Sequence, residues 1–260
     1  MSANLKSLPG ASARDRVSKE EWDVRVDLAA AYQLAAVFRW TDIIYTHFSA
    51  RVPGTDDILI NPYGLMFDEI TASNLVKIDM DGNVLDDPTG MGVNHAGFVI
   101  HGCVHQARPE VNCVLHTHTR AGVGVSAQKC GLLPLSQHAM RVQSTITYHD
   151  YEGIALDMDE RERIAHDLGP TSKAMILRNH GLLTLAETVR EAFELMYYLD
   201  CACQIQVDAL AGGIDNALLM TESAARSAAA AFERPDRPSQ VKDWPALVRM
   251  LDRKGINYRN

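Results

Sequence analysis

Apolar positions along the chain change period several times, and each change marks an element. Ser18 and Glu21 form a capping box ahead of Trp22, Val26, Ala29 and Ala30 at helical spacing, which predicts a helix to about Trp40. Short runs follow, YTHFSARV, DILIN, LVKID and NVLD, the last two flanking an Asp81-Gly82 turn; these read as strands. The pattern then predicts a helix from about His95 to Ala107, stopping before Pro109. VNCVLHTH (111–118) gives the clearest strand, followed by a helical turn. KAMILRN (173–179) is a second apolar strand, and LLTL continues after Gly181. Residues 186–211 read as one long amphipathic helix, and an Ala-rich helix is predicted near 221–232. In the tail, KDWPALVRMLDR predicts a short helix with Pro245 in its first turn and Leu247, Val248 and Leu251 free to dock on a neighbour. The alternation of strands and helices points to an α/β layered domain over 18–215. A loose segment, 1–17, precedes it, and a helical tail, 216–260, follows.

Composition narrows the functional classes. The chain has 260 residues, 47% of them hydrophobic, enough for one substantial core. A net charge of −8 offers nucleic acid or an anionic membrane no electrostatic attraction, so neither is expected as a partner. The five cysteines, Cys103, Cys113, Cys130, Cys201 and Cys203, contain no C-x-x-C pair and read as reduced thiols. No stretch approaches the roughly 18–20 apolar residues of a membrane span, and the first residues lack an apolar signal region. A soluble, cytoplasmic protein is expected.

Candidate chemistry concentrates in histidine. Five of the ten histidines lie between positions 95 and 118. His116 and His118 alternate with Thr117, so on a strand both imidazoles point to one face and can reach one ion. His180, at the end of the apolar run AMILRN and before Gly181, is the best candidate for a third ligand. Spacing alone does not join it to the pair. Three neutral imidazoles suit zinc first, or manganese, iron(II) or cobalt, and leave coordination positions open.

The flanks of these histidines carry a resemblance. RPEVNCVLHTH (108–118), GLLPLSQHA (131–139) and LGPTSKAMILRNHGLLTL (168–185) resemble the class II aldolase/adducin family, closest to its adducin-like bacterial branch. IIYTHFSARVPG (43–54), ILINPYGLMFDEITASNLVKIDMDGNVL (58–85) and GVNHAGFVIHG (92–102) fit as well, so the likeness spans about 25–212. It implies a three-layer α/β/α fold around a mostly antiparallel sheet. It also implies a homotetramer with sites at subunit interfaces, and one divalent ion on His116, His118 and His180.

Several positions depart from the family's sugar-phosphate enzymes. The position of their Glu or Asp falls on Gly97, which can neither move a proton nor bind metal. Their phosphate-cradle positions fall on His47, Tyr63, His95 and Ala96. Bulkier or apolar groups there predict a substrate that is not a sugar phosphate but a small carbonyl or carboxylate compound, with His47, Arg51 and Tyr63 as binding residues. His95 is a candidate acid/base or fourth ligand, against a plain helix-start role. His101 and His105, four apart on one helix face, read as helix packing. By resemblance only, Tyr258 in the tail is a candidate lid or proton donor, weighed against a frayed terminus. Tyr148 and Glu152 are expected on a polar loop.

The leading expectation is a metal-dependent lyase, an aldolase or decarboxylase working through a metal-stabilised enolate. Two others stay open: an iron(II) oxygenase cleaving an aromatic 2-oxo or 2-hydroxy acid, and a non-catalytic adducin-like interaction module.

Overall fold

The chain's β-branched and aliphatic runs form one sheet, and its amphipathic runs cover both faces. The structure is a computed structural model describing residues 13–153, 158–232 and 242–260. A single turn, α1 (Ala13–Arg16), leads into α2 (Lys19–Val37), whose N-cap Ser18 side chain accepts from the Glu21 backbone N–H at 3.1 Å. Part of the segment expected to be loose is thus helical, and its Ala13 is buried; residues 1–12 lie outside the described residues. Helix α2 stops before Trp40 because Arg39 turns into the left-handed region (φ 62°), which lets the Trp40 indole N–H donate to Asp200 at 2.9 Å.

Strands β1 (His47–Arg51), β2 (Ile58–Ile60), β3 (Val76–Ile78) and β4 (Val84–Asp86) come next. Helix α3 (His95–Ala107), β5 (Cys113–Thr117) and α4 (Arg120–Ser126) follow. After them come β6 (Ile146–His149), α5 (Met158–Leu168), β7 (Ala174–Leu177), β8 (Gly181–Ala186) and α6 (Val189–Ala209). The C-terminal part carries α7 (Glu222–Phe232) and α8 (Asp243–Arg253). Among the described residues eight strands lie in the order β4-β3-β2-β1-β5-β8-β7-β6, and of these only β6 and β7 pair in parallel.

Alternation along β5 divides the layers. Val114 joins the core under α3 and α5 with Val99, Val104, Ile164 and Leu168. Cys113 and Leu115 join the larger core under α2, α6 and α8, with Leu28, Phe193 and Trp244. That is the expected three-layer α/β/α arrangement with a mostly antiparallel sheet. Besides α1, two elements were not predicted. Strand β6 carries Tyr148, so this residue is not on a loop; its hydroxyl accepts from the Leu132 N–H at 3.0 Å, and Arg178 lies over its ring. Helix α5 occupies an acidic stretch, and its Arg163 pairs with Glu152. The predicted helix over 186–211 begins only at Val189, because Gly181–Ala186 completes a strand.

The tail helix α8 packs on α2 of the same chain. Beyond it, Ala72 N–H donates to Tyr258 C=O and Ser73 N–H to Asn260 C=O. Tyr258 is only 1% exposed and sits in the larger core. Tyr258 is therefore a core residue of its own chain and not part of a frayed terminus. Its aromatic area and the two backbone hydrogen bonds are reason enough for the ordered terminus.

Candidate metal centre

Strand β5 presents His116 toward the α3 face, and the chain carries His118 just past the strand end. The third imidazole arrives on the β7–β8 connection. Asn179 takes the left-handed conformation there (φ 56°), which asparagine tolerates, and His180 follows it. Gly181 is required for another reason: a Cβ at this position would stand 2.4 Å from the Thr117 carbonyl oxygen. Only glycine lets β8 begin so close to the end of β5, and this brings His180 to the pair. His116, His118 and His180 each offer a ring nitrogen, all within 4.8 Å of one another. The three ring centroids are each 4.8 Å apart.

Hydrogen bonds fix two of the tautomers. His116 Nδ1 is 3.0 Å from the Leu182 carbonyl, so it must carry the proton and donate. His118 Nδ1 is 2.9 Å from Asp42 Oδ2 and donates to the carboxylate. Both Nε2 atoms are thereby left as acceptors, and they face each other at 3.0 Å. Two lone pairs at that distance repel unless a cation lies between them. Tetrahedral coordination at roughly 2.0–2.1 Å from an ion separates ligand nitrogens by about 3.4 Å, close to this spacing. The donor set therefore fits a divalent ion, which His116, His118 and His180 would hold. Burial and the neighbouring imidazoles press His116 well below the usual histidine range, and burial with His118 lowers His180 to about 4; both keep the neutral form that binds metal.

Asp42 was not a candidate from sequence, since a lone acid in TDIIYT has no motif around it. Its loop shows local strain: Ile43 (φ 53°) and Thr46 (φ 68°) are β-branched residues in the left-handed region. Asp42→Asn should keep the fold but weaken metal binding about 10- to 100-fold, the usual cost of losing such a partner. Competition with a chromogenic chelator measures this, and unchanged affinity would show that Asp42 plays no part in orienting His118.

The other predicted site residues separate into two groups. His47 faces His116 directly across the β1–β5 pairing and is 5% exposed. Burial and the nearby His118 lower it to about 4. His95 opens α3 two residues before Gly97 and is exposed, at the rim of the same end of the sheet. Tyr63, on the chain leaving β2 beside that end, is 38% exposed, and its N–H is bonded to Gly92. The Ala96 side chain lies outside the described residues. Arg51 belongs to the other group, and its expected role at the anion is corrected. It is four residues along β1 from His47, about 13 Å at strand rise. Its guanidinium is engaged by Asp56 at 2.8 Å and by the His105 carbonyl at 2.8 Å.

His101 and His105 pack as expected. Ser49 Oγ lies 2.6 Å from His101 Nδ1 and 2.9 Å from His105 Nε2, pinning α3 to β1 in a buried cluster. His149 also has a structural partner, Asp167 at 2.8 Å, which joins β6 to α5.

Residues 26–207 match the class II aldolase and adducin N-terminal domain family, and the chain belongs to that family. A solved aldolase II superfamily protein from Pseudomonas syringae is 53% identical, covers 96% of this chain and 100% of its own, and superposes with a TM-score of 0.92. The L-fuculose 1-phosphate aldolase of Glaciozyma antarctica is 26% identical over 98% of both chains, with a TM-score of 0.80. Alpha-adducin of Mus musculus is 44% identical over 93% of this chain but only 35% of its own length. Both an aldolase and a member of the adducins are thus among its relatives.

Proposed function

We propose that the protein is a metal-dependent lyase, of aldolase or decarboxylase type, acting on a small non-phosphorylated carbonyl compound. The observation that carries this reading is the pair of opposed Nε2 acceptors of His116 and His118, with His180 beside them. A structural scaffold gains nothing from two facing lone pairs. A bound divalent ion, zinc in this reading, would supply Lewis-acid stabilisation of an oxygen that becomes negative as a carbon–carbon bond breaks. The chain's own groups would do the rest: Leu182 and Asp42 hold the imidazoles in their metal-binding tautomers, while His47, His95 and Tyr63 line the end of the sheet where substrate would enter. Gly97 offers no carboxylate, which favours decarboxylation or another cleavage needing no acidic side chain there.

The non-catalytic alternative draws on the likeness to alpha-adducin. Steady-state assays of the zinc-loaded protein distinguish the readings. A panel of small 2-oxo and 2-hydroxy acids and hydroxyketones should include a substrate cleaved with loss of activity on chelation. Fuculose and ribulose phosphates should be turned over poorly or not at all. Efficient turnover of either sugar phosphate would show that His47 and Tyr63 do accommodate a phosphate; no turnover of any member of the panel would favour the interaction module.

We further propose a homotetramer in the cytoplasm, with subunit contacts near the sites. In support, Ile43 and Tyr45 beside Asp42, and Met66 and Met91 beside Tyr63, are exposed apolar residues at this end of the sheet. Among the described residues no helix is long and apolar enough to cross a membrane, and all five cysteines are free. Light scattering at micromolar concentration should give the tetramer mass; a monomer would refute the assembly.

A further inference from the structure

A buried carboxylate is tied to the chain two residues before Asp42. Asp200, on α6, is 2% exposed. Its Oδ2 accepts from the Trp40 indole N–H at 2.9 Å and from the Gln204 side-chain amide at 2.7 Å. Its Oδ1 is buried without a hydrogen-bond partner. Burial pushes the carboxyl above its usual range, and Thr119, Gln204 and Trp40 oppose that shift. A carboxylate enclosed with one oxygen unbonded destabilises the folded state. A well-packed neutral side chain would serve the fold at least as well.

The neighbours of Asp200 belong to two particular segments. Trp40 precedes Asp42, the carboxylate that accepts from His118 Nδ1, and Thr119 directly follows His118. The Trp40 ring is buried against Phe38 and Phe193, at 5.5 and 5.0 Å between centroids. Thr119 starts α4, its hydroxyl accepting from the Gly122 N–H at 3.1 Å. Between these anchored points the Asp42 loop has little packing of its own. Ile43 and Tyr45 are exposed, and the Asp42 side chain is half-exposed. Arg39, Ile43 and Thr46 are all non-glycine residues in the left-handed region. Such a backbone persists only where its surroundings hold it. The position of Asp42 therefore depends on what anchors the ends of its loop, and Asp200 anchors the first end.

We propose that Asp200 is a positioning residue of the metal centre. Bonded to Trp40 and set against Thr119, it holds together the segments that carry Asp42 and His118, and so preserves the hydrogen bond that fixes the His118 tautomer. Asp200 acts through Asp42 rather than on the ion. The proposal rests on the metal-centre reading of the three histidines.

The test uses the full-length protein and needs no substrate. Zinc affinity is measured by competition with a chromogenic chelator, the cobalt(II)-loaded protein by visible absorption, and stability by urea unfolding. Asp200→Ala and Trp40→Phe should each lower zinc affinity at least fivefold. Their cobalt bands should shift in the same direction as those of Asp42→Asn. Asp200→Asn, which keeps an oxygen for the indole N–H, should recover most of the loss. Adding Trp40→Phe to Asp42→Asn should weaken zinc no further, because both act on one hydrogen bond. Arg25→Ala controls for a general loss of stability. It removes a buried cation about 18 Å along the helix axis from the end of α2, and should leave zinc affinity as in wild type.

Wild-type zinc affinity and an unchanged cobalt spectrum in folded Trp40→Phe would overturn the proposal, and this milder change decides the case if Asp200→Ala fails to fold. Additive losses with Asp42→Asn would overturn it as well, by showing a route that bypasses Asp42. An equal loss of zinc affinity in Arg25→Ala would reduce the effect to loosening of the fold and overturn it too. Wild-type protein that takes up no zinc would refute the metal-centre reading itself, before any variant is compared, and this proposal with it.

Discussion

Replacing His116 by alanine is expected to lower divalent-metal affinity by more than a hundredfold, roughly 3 kcal/mol, while leaving the fold in place. The effect is large because His116 is the most enclosed of the three imidazoles, 3% exposed, and its tautomer is already set by Leu182. No other nitrogen of β5 faces the same point, since Leu115 and Thr117 project to the opposite layer. The truncated site would keep His118 and His180, a two-ligand set that binds weakly and without defined geometry. Calorimetric zinc titration with a circular dichroism control measures this. Stoichiometric, tight uptake by the folded variant would remove His116 from the site.

The second large effect concerns the fold. Arg25→Ala should destabilise the protein by about 3–5 kcal/mol, the cost of breaking a buried ion pair from one side. The Arg25 side chain is fully buried; its Nε donates to Glu21 at 2.9 Å, and one terminal nitrogen donates to the Leu75 carbonyl at 3.0 Å. Glu21 also receives Lys77 at 3.1 Å from β3. Without the guanidinium, Glu21 keeps only Lys77, and the Leu75 carbonyl loses a donor. Urea unfolding provides the measurement. A double replacement, Glu21→Leu with Arg25→Met, should recover much of the loss, because it removes both charges together; a drop below 1 kcal/mol in Arg25→Ala would mean that water replaces the arginine at little cost.

Much of this was legible in the sequence because its signals are local or periodic. The alternation in VNCVLHTH put His116 and His118 on one face without any tertiary information, and the two rings do meet, His116 from β5 and His118 from just past its end. Resemblance of the flanks supplied the partner that spacing could not, His180, which reaches the pair through the close approach at Gly181. What was not legible depends on distant packing. Asp42 meets His118 across 76 positions of sequence. Arg51 was expected at an anion because it is a cation in the right strand, but its side chain is engaged by Asp56 and α3. Tyr258 was read against a frayed terminus, yet its backbone is bonded to the segment at Ala72 and its ring is buried. Strand β6 and helix α5 escaped notice because TITYHD is polar at its ends and MDERERIAHDL shows a narrow apolar side. The lack of a hydrogen-bond partner for either His47 ring nitrogen, and the dependence of the ring on Gly97, is a property of two residues 50 positions apart and appears only once β1 and α3 are packed.

The central claim is a functional metal centre on three histidines, and metal content tests it most directly. Protein purified without added metal, and never exposed to a chelating resin, should carry stoichiometric zinc by elemental analysis, lost in His116→Ala and His118→Ala. Stoichiometric iron in its place would turn the chemistry toward an oxygenase, and a folded wild-type protein without bound metal that fails to take up zinc on titration would contradict the account.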